Sequence, residues 1–254
     1  MNKPTSDHQE GASVSAQPIE PSKSQRASAW SVHVLTASGV FCCLLALDAT
    51  YASEWRTALA WLLLAVIIDA VDGTFARYFR VKAVLPNFDG ALLDNLIDFI
   101  NYVIVPALII HRAQLVPAKC SFAIACAICL ASAYQFCQSD AKTADNYFKG
   151  FPSYWNVTAL YLLSAGFDRI ANLIIIAALI AMVFVPIKYI YVTRTKEYQT
   201  ITWPLTISWS VLAIIILWQL PNPNPWLVGI SSLYFVYYFL MSLYLTIRPR
   251  LPAT

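Results

Sequence analysis

Apolar runs follow one another along the chain, at residues 29–49, 57–80, 90–111, 119–138, 152–167, 169–191, 202–220 and 225–247. Most approach the ~20 residues that a helix needs to cross the hydrocarbon core of a bilayer. The pattern predicts an all-α fold, a polytopic transmembrane helical bundle of about eight spans. The fifth run is short, and only Gly166, Phe167 and Asp168 join it to the sixth. That pair reads either as a tight helical hairpin or as one irregular span, so six and seven spans are alternatives to eight. Residues 1–27 are Ser, Gln, Pro and Lys rich with almost no apolar content. They read as a disordered cytosolic tail ahead of a single transmembrane domain over 28–254. No clean cleavage pattern follows the first apolar run, which argues against a secretory signal.

Composition narrows the class. Hydrophobic residues make up 59% of the 254 and charged residues 12%, against roughly 25% charged in an ordinary soluble domain. A soluble domain, a disordered chain and a nucleic-acid binder are excluded, and an integral membrane protein remains. The net charge of +3 defines no anionic partner, but the placement of charge defines an orientation. With the N-terminus inside, only Arg56, Arg112, Lys119 and Arg169 of the 17 Lys and Arg residues fall outside. The positive-inside rule then puts both termini in the cytoplasm and favours an even number of spans. Cys126 and Cys129 have CxxC spacing, but no His or second CxxC accompanies them, so small thiols in a lipid-embedded helix are the better reading.

Four of the 14 acidic residues, Asp69, Asp72, Asp94 and Asp98, sit inside the second and third apolar runs. A charged Asp at mid-membrane costs roughly 2.5–3.5 kcal/mol on insertion scales, and no Lys or Arg lies in the third run to pair with its two. Asp69 and Asp72 are i, i+3, and Asp94 and Asp98 are i, i+4, so each pair shares one helix face. The two helices are antiparallel neighbours joined by a short inner loop, and both pairs lie toward its side. Four carboxylates can therefore converge near the inner membrane surface. Hard divalent cations take such oxygens, and two ions about 3.5–4 Å apart serve phosphoryl transfer. The alternative is protonated, hydrogen-bonded Asp stabilising helix contacts. Gly73, Ala76 and Gly90 open space beside the acids, although small residues also serve helix packing. Gly90, near a helix N-terminus, offers backbone N–H groups to a phosphate. Arg77 sits at the boundary, where it either snorkels or grips phosphate.

As a string the segment reads Asp69-x-x-Asp72-Gly73-x-x-Ala76-Arg77, twelve residues, then Gly90-x-x-x-Asp94-x-x-x-Asp98. It resembles the motif of the CDP-alcohol phosphotransferases, membrane enzymes that move a phosphatidyl or related group from a CDP-linked donor to an alcohol and release CMP. The gap of twelve is four longer than is usual in the family. It is similar to the bacterial branch whose acceptor alcohol is choline, as are Val84 to Asn95, Gly150 to Asn156, Phe184 to Tyr189 and the run Thr36 to Gly39.

The resemblance implies a six-helix core plus two, in a bacterial inner membrane with the site on the cytoplasmic side. Asp69, Asp72, Asp94 and Asp98 would hold two divalent cations, Mn²⁺ or Mg²⁺, against the pyrophosphate of CDP-diacylglycerol. Asp69, Gly73, Ala76, Arg77 and Gly90 would line the nucleotide and phosphate. Asp98 would be the general base on the acceptor hydroxyl. No His lies near this segment in sequence, since the three are His8, His33 and His111. A homodimer is a further implication.

A quaternary ammonium is held by aromatic faces. Tyr102, Tyr154, Trp155 and Tyr189 are candidates, although each also suits an interfacial anchor. An acceptor carrying phosphate would instead use Lys149, Lys188 and Arg194, and serine is a further alternative. From other classes, a cation transporter would place polar residues at several depths in several spans. A non-catalytic scaffold would have lost motif positions, and none is missing.

Overall fold

The chain enters its first helix earlier than the apolar pattern suggests. In the computed structural model, which describes residues 21–141, 143, 147–192, 195 and 198–248, Ser22 caps α1 (Lys23–Ala37). Its hydroxyl accepts from the Gln25 N–H, and the Gln25 side chain accepts from the Ser22 N–H. This capping box satisfies two otherwise orphaned donors and takes residues 23–27 out of the expected tail. Residues 1–20 lie outside the described residues.

Helix α1 runs through Ser38 into α2 (Gly39–Tyr51), and together they form one apolar span of 29 residues. Then come α3 (Trp55–Tyr78) and a loop with a single turn, α4 (Val81–Val84). The third span joins α5 (Gly90–Phe99), a π-helical turn (Ile100–Ile104) and α6 (Val105–Arg112), and α7 (Ala118–Cys137) is the fourth. After the middle region follow α10 (Gln199–Gln219) and α11 (Pro225–Ile247). Among the described residues, six helices are long and apolar enough to cross a membrane, and the protein is an integral membrane protein.

The count of eight is not what the helices give, because the expected fifth and sixth runs fold shorter than they read. The fifth yields α8 (Trp155–Ser164), 10 residues, or ~15 Å. Its start is consumed by a turn in which Gly150 and Ser153 have positive φ. The sixth yields α9 (Arg169–Phe184), 16 residues, ending where Pro186 biases the preceding residue away from helix. Gly166 makes the turn between them at φ +66°, a conformation that glycine adopts without a Cβ penalty. Asp168 then caps α9, accepting from the Ile170 and Ala171 N–H groups. Strand β1 (Tyr147–Lys149) precedes the pair and pairs antiparallel with β2 (Lys188–Ile190), Phe148 opposite Tyr189. The chain thus leaves and returns at one end of the bundle, which is the tight-hairpin alternative.

The interior is filled by Leu62, Ile109, Ile110, Ile128, Ile176 and Ile216, all fully buried. Large apolar side chains such as Phe41, Leu130, Ile174 and Leu233 stand exposed on the outside, as a lipid-facing surface requires. Helix α1 packs against both α3 and α5. Their fit is close at Gly39, where an added Cβ would come within 2.5 Å of Ile97 Cγ2. Buried Asn101 pins the same junction, its Nδ2 donating to the Gly39 carbonyl at 3.1 Å and the Ile97 carbonyl at 3.0 Å.

Candidate active site

Because α3 and α5 are antiparallel and joined through α4, the shared face of one carboxylate pair meets that of the other. Asp69, Asp94 and Asp98 each bring an oxygen to within 4.8 Å of the others. Asp72 does not join this trio. It sits one turn along α3, is 4% exposed, and its Oδ2 is buried with no hydrogen-bond partner among the described residues. All four line one narrow cleft with Thr36, Asn101 and Tyr102, and among the described residues no basic side chain lines it. The expected convergence of four is therefore three together and one adjacent.

The hydroxyl of Tyr102 donates to Asp69 Oδ2 at 2.9 Å. The π-helical turn that contains Tyr102 begins two residues after Asp98, and such turns recur at functional sites. Of the expected choline ligands, Tyr102 is thus the partner of a carboxylate.

The cleft opens into a cavity of about 2060 Å³, well above the ~300–1,000 Å³ of ordinary small-molecule sites. Gly73, Ala76, Arg77 and Gly90 line it, as do Tyr154 and Tyr189. The Arg77 guanidinium folds back over Gly73, where an added Cβ would lie 3.6 Å from it, and donates to Thr74 Oγ1 at 3.2 Å. The Gly90 N–H donates to the Phe88 carbonyl, and that of Leu92 to Asp89 Oδ1. What Gly90 provides is room, since a Cβ there would come within 2.5 Å of the His33 ring. Histidine is therefore not remote from the motif. His33 packs between Trp30 and Phe88 on the cavity wall, brought there by the fold from a position far away in sequence.

The stretches Gly150–Asn156 and Phe184–Tyr189 interlock. The Gly150 N–H donates to the Ile187 carbonyl and the Phe151 N–H to the Met182 carbonyl. A side chain on Gly150 would run into the Val183 carbonyl. This clamp sets Tyr154 and Tyr189 on the cavity wall, Tyr154 with 38% of its surface exposed. Tyr154 shares this cavity with Asp69, Tyr191 and Tyr234. Trp155 points the other way. It is fully buried, and its Nε1 donates to Ser132 Oγ at 2.8 Å, so it supports the core and does not line the cavity.

The family model for CDP-alcohol phosphatidyltransferase matches residues 31–193. The chain belongs to the CDP-alcohol phosphatidyltransferase family. Phosphatidylcholine synthase of Borreliella burgdorferi is 38% identical over 224 residues, covering 87% of this chain and 96% of that protein. Phosphatidylcholine synthase of Legionella pneumophila is 38% identical over 246 residues, covering 93% and 96%. That of Pseudomonas aeruginosa is 36% identical over 214 residues, covering 83% and 90%. This phosphatidyltransferase is accordingly an enzyme of phospholipid synthesis.

Neither Lys149 nor Lys188 lines the cavity of this phosphatidyltransferase, whose basic lining among the described residues is Arg77, Arg80 and Lys82. Lys149 Nζ is held at 2.6 Å by Asp140, a hydrogen bond that raises the pKa of the ammonium. Lys188 Nζ lies over the Tyr147 ring at 5.3 Å. Arg194 lies outside the described residues.

Proposed function

We propose that this chain is a phosphatidylcholine synthase, transferring the phosphatidyl group of CDP-diacylglycerol to choline with release of CMP. One observation carries the reading: a carboxylate cleft opens into a cavity whose far wall is aromatic and uncharged. The curated relatives support it.

The donor set suits divalent ions. Three carboxylates lie close together and a fourth keeps a buried, unpartnered oxygen, and hard oxygen ligands match Mg²⁺ or Mn²⁺. Asp69, Asp72, Asp94 and Asp98 would hold them, and bound metal would offset charge on the donor's pyrophosphate. Arg77, Gly73 and Ala76 would lie along the nucleotide. Asp98 takes the proton from the choline hydroxyl. That oxygen bonds to the β-phosphorus, which carries the diacylglycerol, and the bridging P–O bond breaks to release CMP. An alcohol is far too weak an acid to ionise unaided at neutral pH, so a base within hydrogen-bond reach matters. Tyr102 holds Asp69 in position, and Tyr102→Phe should weaken Mn²⁺ binding about tenfold with little change in choline KM. Manganese paramagnetic resonance and acceptor titration separate the two, and a change in choline KM alone would make Tyr102 an acceptor ligand. The distribution of Lys and Arg supports a bacterial inner membrane with both termini and the site facing the cytoplasm.

The deciding assay supplies membranes containing the protein with CDP-diacylglycerol, Mn²⁺ and labelled choline, serine or glycerol phosphate in turn. Lipid product from choline is expected. Product from serine or glycerol phosphate alone would reassign the acceptor, and none from any would defeat the reading.

A further inference from the structure

A column of stacked rings lines the same cavity as the carboxylates. Tyr189 of β2 stacks on Tyr238 of α11 with centroids 5.8 Å apart and planes at 29°. Tyr238 stacks on Tyr234 at 6.1 Å, and Tyr234 on Trp209 of α10 at 5.0 Å. The hydroxyls of the middle pair are occupied. That of Tyr238 donates to the Ile190 carbonyl at 2.9 Å, and that of Tyr234 lies 2.8 Å from Thr206 Oγ1. With both hydroxyls engaged, these two residues offer the cavity aromatic ring and no free hydroxyl. Tyr154 lines the same cavity as the column and as Asp69, Asp72 and Asp94. From Phe151 onward no Asp, Glu, Lys or Arg lines the cavity among the described residues.

This wall is selective by its chemistry. A quaternary ammonium donates no N–H hydrogen bond and gains from ring faces and from nearby negative charge. A primary ammonium needs acceptors, and an anionic alcohol needs cations. Position in the chain agrees. The match to the family model ends at residue 193, ahead of α10 and α11, whereas a phosphatidylcholine synthase that aligns over 93% of the chain must extend into them.

We propose that Tyr154, Tyr234 and Tyr238 hold the trimethylammonium group of the acceptor, and that the C-terminal helix pair sets acceptor selectivity while the carboxylate motif serves transfer to any alcohol. The proposal rests on the choline reading above.

The test uses the full chain in proteoliposomes with CDP-diacylglycerol. Choline KM is measured beside the inhibition constant of 3,3-dimethyl-1-butanol, the uncharged isostere of choline. Tyr234→Leu and Tyr238→Leu should each raise choline KM about 5- to 30-fold. KM for CDP-diacylglycerol and inhibition by the isostere should hold. Tyr→Phe at either position should stay within about threefold of wild type, because the ring is what binds. Should either Leu variant fail to accumulate, Tyr154→Leu carries the same expectation. Unchanged choline KM, or equal losses for choline and its isostere, would overturn the proposal. A wild-type protein that uses another alcohol but not choline would overturn the choline reading itself, and that result appears before any variant is made.

Discussion

Asp98→Asn is expected to lower phosphatidyl transfer by about 10³-fold while CMP and donor binding survive. The substitution keeps size and hydrogen-bonding reach but cannot accept the hydroxyl proton. Asp69 and Asp94 remain close by and Asp72 keeps its buried oxygen, so the cleft still offers three carboxylates to metal. The comparison to make is turnover against nucleotide affinity, measured on the same preparation by transfer assay and by CMP titration. Turnover within tenfold of wild type would remove Asp98 as base. His33 is the next group to test in that event, because it is the imidazole that the fold brings to the cavity wall.

Chelation is expected to be as damaging. Dialysis against EDTA should abolish transfer, and Mn²⁺ or Mg²⁺ should restore it. The argument is electrostatic. Each charged Asp in a span costs roughly 2.5–3.5 kcal/mol, and among the described residues no basic side chain lines the cleft that holds four of them. Asp69→Asn and Asp94→Asn should each raise the Mn²⁺ concentration needed for half-maximal activity at least tenfold, with a parallel loss of bound Mn²⁺ by paramagnetic resonance in the absence of donor. Full transfer in metal-free buffer would show that the carboxylates are neutralised by protons and do other work.

The carboxylates were legible because a membrane makes charge conspicuous and because i, i+3 and i, i+4 spacings specify a helix face. Spacing specifies a face but not a neighbour, which is why Asp72 was expected with the other three and instead stands one turn along beside Thr36. Tyr154 and Trp155 are adjacent in sequence. Which of them faces the cavity depends on the turn at Gly150–Ser153, whose positive φ values set where α8 begins. The pattern at a run end carries no such information, and Trp155 was misplaced for that reason. Tyr234 and Tyr238 show the i, i+4 spacing of one helix face and share it with the buried Ser231 and Ser242, but a few hydroxyls in an otherwise apolar span make a weak stripe. His33 was missed because nearness along the chain stood in for nearness in space. The α8–α9 hairpin was one of two readings of its run, and the pairing of β1 with β2 decides for it.

The π-helical turn at Ile100–Ile104 bears on how this span is compared with others. Such a turn closes over five residues where an α-helical turn closes over four, so it houses one residue more. A protein that lacks the extra residue can match this chain through Asp94 and Asp98 and then run out of phase by about 100°, the rotation of one α-helical residue. Its counterpart to Tyr102 would then point away from the carboxylates, even under an alignment with no gap in it.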